Sequence, residues 1–424
     1  ETVVTPFRRS FEEGEWQLIV LLPSQETERN ARLLEERFPM FPLRVRALRK
    51  AKEEDNTDAC FRHFDAELER LVEEGWPREA ITADVTRGTK AMTAALSMAA
   101  MAHRVGCIRY ITGERDERGM VKPGTEKIVD VAPQRALERQ DVNLACEYLR
   151  AGNYRAVEML FPGAPAKMYD GHLKEEIRWL GWAAKFWGAW DRFDYKDAAK
   201  LGRKDGLPSE PPGIAGGFLP GEAQVSVLRV LSGEAPPKAR DNVEYCRALA
   251  ADLLANAERR LREGQNEEVL VRLYRVLELT GQMRLFVHGM DTGRVNPEDE
   301  RVRAWLEGLE EKDRPRPNRD GLLELGRDKA ARLLRFLEIQ SGNGKGVELA
   351  EKLASLDWLG EWGPAMRNTS VLIHGYRARS RGRERELGEL LRKLRDFFGE
   401  ESEGNAALLE ACRFSFLQVR RGGE

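Results

Sequence analysis

Cysteine is scarce in this chain and follows no pattern. Cys60, Cys107, Cys146, Cys246 and Cys412 are an odd five, and no two form a Cys-x-x-Cys pair. A disulfide framework or zinc knuckle is therefore not expected, and a reducing, cytoplasmic setting is the default. Long apolar runs are missing too. No bilayer-spanning segment is expected, and no signal peptide is read ahead of the fold. Charge of one sign is also lacking: 69 Lys and Arg stand against 71 Asp and Glu, a formal net charge of −2. No global basic field announces nucleic acid, so any nucleic-acid site has to be local. Neither Gly-x-Gly-x-x-Gly nor a Walker A loop occurs, which argues against a dinucleotide coenzyme or a nucleotide triphosphatase. No clear metal-ligand cluster stands out, so neither a metal nor another cofactor is expected.

What is present fits a globular protein of two or three domains: 424 residues, 42% hydrophobic and 33% charged. The first third alternates strand and helix patterns. "WQLIVLLPS" (16–24), "LRVRALR" (43–49), "AITADVT" (80–86) and "CIRYITG" (107–113) read as strands. "ETERNARLLEERF" (26–38), "DACFRHFDAELERLVEEG" (58–75) and "TKAMTAALSMAAMAHRVG" (89–106) read as the helices between them. "MVKPGTEKIVDV" (120–131) reads as a hairpin around Pro123-Gly124. This order predicts a Rossmann-like domain with a parallel sheet over 1–133. From 134 to 424 apolar residues recur at three- and four-residue steps, which predicts an all-α region. Within it, 202–242 begins with a Gly/Pro-dense stretch and reads as a loop or insertion.

In open parallel sheets, ligands bind beyond the carboxyl ends of the strands. Two segments arrive there. In "LPSQETERN" (22–30), Ser24, Gln25 and Thr27 can hydrogen-bond ligand hydroxyls or phosphates. In "DVTRGTKAM" (84–92), Gly88 permits a tight turn, and Thr89 and Lys90 open a helix whose N-terminus attracts phosphate. Arg87 adds charge. The same residues also suit a plain strand–helix turn with a capping Thr and a surface Lys.

"MRNTSVLIHG" (366–375) sets Arg367 and His374 seven positions apart, on one face of a helix. An imidazole that moves protons near neutral pH and a guanidinium that holds a phosphate can together break an RNA backbone. A surface Arg and an incidental His have the same spacing, so both readings stay open here. His63, His103, His172 and His288 lack catalytic company and read as structural. Trp358 and Trp362 read as core. "YRARSRGRERELGELLRKLR" (376–395) reads either as a solvated face with Glu–Arg pairs or as a guide for RNA.

"DVTRGTKAMTAALSMAA" after "IVLLPSQETERNARLL" resembles the CARF domain, the CRISPR-associated Rossmann fold. Such domains commonly carry a Thr-Gly-Gly-Thr-Lys-like turn, and Arg87 stands where the first Gly often is. "EEVLVRLYRVLELTGQMRLF" resembles the helical part of one branch of CARF proteins. "RNTSVLIHG" is similar to the Arg-x(4–6)-His motif of HEPN ribonucleases. The three in this order resemble the CARF–HEPN ribonucleases of type III CRISPR systems. The resemblance implies a homodimer that binds cyclic tetra- or hexaadenylate as allosteric activator and cuts single-stranded RNA without metal. Thr86, Arg87, Gly88, Thr89 and Lys90 become the main effector contacts, with Ser24, Gln25 and Thr27 secondary. His374 becomes the general acid/base, Arg367 the phosphate ligand and Asn368 an orienting neighbour. The competing expectation is a non-catalytic CARF sensor that acts through a partner.

Overall fold

A computed structural model describes residues 15–115, 117, 121, 122, 124–161, 171–203, 210, 211, 213–233, 239–360, 362, 372 and 382–417. The chain divides into two compact units: 1–144 with 163–174, and 145–162 with 175–424. The helix Gln134–Arg150 runs across the division.

The first unit is α/β. Strands β1 (Ile19–Leu21) and β2 (Leu43–Val45) pair in parallel, with Ile19 opposite Leu43. Helix α1 (Glu28–Arg37) connects them and buries Ala31 and Leu34 against Leu21. Helix α2 (Thr57–Glu73) starts where the Asn56 side chain accepts the Ala59 N–H. It ends at Gly75, whose positive φ lets the Trp76 N–H turn back to the Leu71 carbonyl. Strands β3 (Thr82–Asp84) and β4 (Cys107–Thr112) also pair in parallel, joined through helix α3 (Lys90–Ala102). Ala95, Ala99 and Ala100 are fully buried, so α3 sits close against a cluster with Phe64, Leu68 and Val105. Each large apolar side chain buried there contributes about 1.5–3 kcal/mol.

The hairpin forms with a different partner from the expected one. Strand β5 (Lys127–Val131) runs antiparallel to β4, and an isolated Arg115–Val121 bridge extends the pairing. A cross-strand ion pair supports this pairing: Arg109 faces Asp130 and makes two hydrogen bonds of 2.8 Å to it. Among the described residues, parallel pairing is thus confined to β1–β2 and β3–β4, and β5 closes the second sheet in the opposite sense.

Every regular element that lies wholly within the second unit is helical among the described residues. Helices α5 (Tyr154–Leu160), α6 (Gly171–Asp191), α7 (Tyr195–Gly202) and α8 (Glu222–Leu231) follow α4 (Gln134–Arg150). The stretch read as a loop or insertion therefore contains a ten-residue helix. Its apolar spacing explains this, because Val227, Leu228 and Leu231 are buried. Helices α9 (Ala239–Arg262) and α10 (Asn266–Val287) fold back on each other through a tight turn at Gly264. Helices α11 (Glu300–Glu307), α12 (Arg327–Gln340), α13 (Gly344–Ser355), α14 (Glu384–Glu401) and α15 (Asn405–Ala411) complete the order among the described residues.

The second unit buries ions as well as apolar groups. Arg259 bonds Asp191 at 2.7 Å and lies 3.5 Å from Asp252. Tyr195 and Trp190 donate to Asp252 at 2.8 and 3.1 Å. The Arg259 guanidinium also covers the Phe414 ring, 3.9 Å from its centroid. Burial pushes the Asp252 carboxyl up, and Arg259 opposes that shift. Elsewhere Glu338, only 1% exposed, accepts from Arg284 at 2.7 Å and Asn343 at 2.7 Å, with His288 at 3.1 Å. Gly346 is required beside it, since a Cβ there would run into the Glu338 carboxylate. No described helix is long and apolar enough to cross a membrane.

Candidate functional site

The turn between β3 and α3 is built by its own hydroxyls. The Asp84 carboxylate accepts the Thr86 N–H at 2.9 Å and the Thr86 hydroxyl as well. The Thr86 oxygen in turn accepts the Ile111 N–H at 3.0 Å, which ties the turn to β4. Thr89 caps α3 by accepting the Met92 N–H at 3.2 Å and donates its proton to the Glu54 carbonyl. Gly88 has φ +122°, and a Cβ there would press on Met92 at 3.1 Å. An L side chain would be strained at that φ, so glycine is the residue the turn accepts.

The two threonines therefore hold the loop, while the cations stand in solvent. Lys90 is exposed at the first position of α3, and Arg87 is exposed beside it. The first-turn N–H groups and the helix dipole favour an anion at this end. Of the five residues expected at this site, Arg87, Gly88 and Lys90 are exposed. Thr86 and Thr89 act on the backbone that carries them.

The loop after β1 is brought to the same end of the strands. Ser24 is buried and pairs with the Thr27 hydroxyl at 2.9 Å. Thr27 precedes α1 but makes no side-chain cap. Gln25 is exposed and donates to the Arg49 carbonyl at 2.7 Å. That bond exposes a segment not singled out above. The loop over 46–55 lies between the two expected ones, tied to the first by Leu48 N–H to Pro23 O at 2.9 Å. It is tied to the second by the Thr89–Glu54 bond. Arg49, Lys50 and Lys52 are exposed on it. The signal was the basic run "LRKAK" after the second strand, which Glu53, Glu54 and Asp55 mask in a charge count.

Arg367, Asn368 and His374 lie outside the described residues. Their flanks do not. Trp362 is buried, and the Arg383 guanidinium lies over its ring at 4.4 Å. At the start of α14, Arg383 pairs with Glu386 and Arg385 with Glu389, the Glu–Arg pattern of a solvated face. The Glu384 carboxylate accepts from Asn266 at 2.8 Å. Three of the remaining histidines have structural partners. His63 is 3.1 Å from the Arg46 carbonyl, His103 is 2.8 Å from Asp65, and His288 faces Glu338. The His172 side chain lies outside the description. Among the described residues no cluster of His, Cys, Asp and Glu is arranged to hold a metal.

Two similarities bear on these sites. Residues 239–397 match the family model of the Csm6 HEPN domain. The chain is also 29% identical over 336 residues to the CRISPR system endoribonuclease Csm6 of Thermus thermophilus. That alignment covers 73% of this chain and 67% of the relative. The Arg367–His374 stretch falls inside the matched domain.

Proposed function

We propose that this Csm6-like CARF–HEPN protein is a CRISPR-associated endoribonuclease switched on by a cyclic oligoadenylate. Residues 1–133 serve as the sensor, and 134–424 carry the helical connection and the nuclease. The observation that carries the sensor role is the Thr89-capped helix end with Lys90 exposed at its first position. A rigid N–H array with a cation beside it favours phosphate. In a homodimer, each protomer would offer one such end to equivalent phosphates of a symmetric ring.

The chemistry in this proposal belongs to Arg367 and His374. His374 takes the 2′-hydroxyl proton of the RNA, and the freed oxygen attacks the adjacent phosphorus. The bond to the 5′-oxygen breaks, and that oxygen is protonated by an imidazolium. Arg367 holds the phosphate and stabilises the charge that grows on it in the transition state. Asn368 orients its neighbour. The products are a 2′,3′-cyclic phosphate and a 5′-hydroxyl, and no step passes through a metal.

The test is cleavage of single-stranded RNA in EDTA, with and without cyclic tetra- or hexaadenylate. The expected result is EDTA-resistant cutting that rises with one of the two rings and is lost in Arg367→Ala and His374→Ala. Ring binding with no cleavage would leave the protein a sensor that acts through a partner. Loss of cutting in EDTA would remove the metal-independent mechanism.

A further inference from the structure

We infer that the cleft between α12, α13 and Trp358 is a subsite for a nucleobase of single-stranded RNA. This inference rests on the reading of the helical unit as a ribonuclease.

The cleft has a volume of about 450 Å³, and Arg335, Glu348, Glu351, Lys352, Ala354 and Trp358 are among the residues that wall it. Small-ligand sites span roughly 300–1,000 Å³. The whole cleft lies within residues 239–397, the stretch that matches the Csm6 HEPN domain. None of its residues has a part in the proposed cleavage chemistry.

Trp358 reads as core in the sequence, but it is only partly buried. A strained turn holds it there. Helix α13 gives way to Leu356, whose φ of +56° is uncommon for a residue other than glycine. The Lys352 carbonyl accepts both the Leu356 N–H at 3.2 Å and the Trp358 indole N–H at 3.0 Å. The indole also packs on Phe397 of α14, with ring centroids 4.9 Å apart. Lys393 of the same helix donates to the Trp358 carbonyl at 3.4 Å. The ring is thus fixed before any ligand arrives, and its one donor is already used. What it offers the cleft is aromatic surface.

Charge then selects the ligand. Arg335 pairs with Glu351 at 2.8 Å, and Lys352 pairs with Glu348 at 2.9 Å. Two cations and two carboxylates cancel, so a phosphate would meet as much repulsion as attraction. A nucleobase is neutral and planar, with donors and acceptors along its edge. Its face suits the indole, and stacking of this kind tolerates any base. Its edge meets ionic groups whose mutual pairing in solvent is weak enough to exchange.

The experiment uses full-length protein and single-stranded RNA, with 2′-O-methyl RNA as the probe for binding without cleavage. Affinity, KM, kcat, oligomeric state and thermal midpoint are measured for each variant. Trp358→Ala should weaken binding about 10-fold, whereas Trp358→Phe, which keeps an aromatic face, should stay within about 3-fold of wild type. Ala354→Leu fills the cleft and removes no contact, so it decides the matter where Trp358→Ala fails to fold. It too should weaken binding about 10-fold, raising KM with kcat unchanged. These losses should be equal between roughly 50 and 200 mM salt, because a stacked base carries no charge. A loss that fades as salt rises would mean a phosphate contact and overturns the nucleobase assignment. Wild-type affinity in Ala354→Leu, while His374→Ala is inactive, overturns the cleft and leaves the ribonuclease reading standing. An altered oligomeric state with unchanged RNA affinity would assign the cleft to a protein contact and overturns it as well. A wild-type protein that neither binds nor cuts RNA takes down the ribonuclease reading, and the cleft with it.

Discussion

The β3–α3 turn and the Arg259 cluster both gather charge, and they do it in opposite ways. At the turn, neutral hydroxyls hold the backbone, and Lys90 is exposed. Around Arg259 the ions themselves are buried: Asp252 is fully covered, Arg259 is 5% exposed, and they lie 3.5 Å apart, with Asp191 on Arg259 and Tyr195 and Trp190 on Asp252. An exposed cation on a rigid support keeps its field for an outside anion. A buried cation already paired to carboxylates has its field consumed by the fold. Proximity of charges alone therefore does not mark a ligand site. What marks one is which cations the fold leaves at the surface.

The comparison can be broken first at the buried side, where the largest effect is expected. Arg259→Ala would leave Asp252 buried without its cation, leave Asp191 with Arg260 alone, and uncover Phe414. Loss of one partner of a buried pair costs about 3–5 kcal/mol. Chemical denaturation should show a destabilisation of that order, and a loss below about 1 kcal/mol would mean that water already solvates the cluster.

Glu338 gives a smaller and pH-dependent effect. Burial works to raise its carboxyl, but bonds from His288 and Arg284 outweigh it and hold the group below the ordinary glutamate value of 4.5. A carboxyl depressed in the fold adds stability above its unfolded pKa and loses it as pH falls through the folded one. Glu401, whose carboxyl burial pushes up, lies 3.9 Å from Arg284 and competes for it. Glu338→Gln should thus cost about 2 kcal/mol at neutral pH, from weakened charge-assisted bonds. The gap to wild type should narrow as pH drops below 4.5. A gap independent of pH would assign the cost to packing around Gly346.

How much of this was legible in the sequence follows from how far each interaction reaches along the chain. Local signals were: Thr89 begins a helix, Gly75 ends one, and the alternation of strands and helices placed the sheets. The Lys90 helix end was legible for the same reason, since cap, glycine and cation are neighbours in sequence. Non-local pairings were not. The tie from Thr86 to Ile111 and the partner of β5 depend on register between strands, which one sequence does not display. The Asp191–Arg259 pair joins two helices across long separation, and an isolated Asp and Arg give no pattern. Helix α8 was obscured because Gly and Pro just before it dominate the local composition. The loop of Arg49, Lys50 and Lys52 was hidden by the acids that follow it.

The central claim is a division of labour, with sensing at the Lys90 turn and cutting in the helical unit. It is tested most directly by titrating cyclic tetra- or hexaadenylate into wild type and Lys90→Ala and measuring the rate of single-stranded RNA cleavage. Alanine is a good helix residue at this exposed position, so stability should hold. Loss of one phosphate contact should raise the half-activating concentration about 10-fold, with the saturated rate unchanged. An unshifted titration would contradict the account, and so would a saturated rate that falls as far as in His374→Ala.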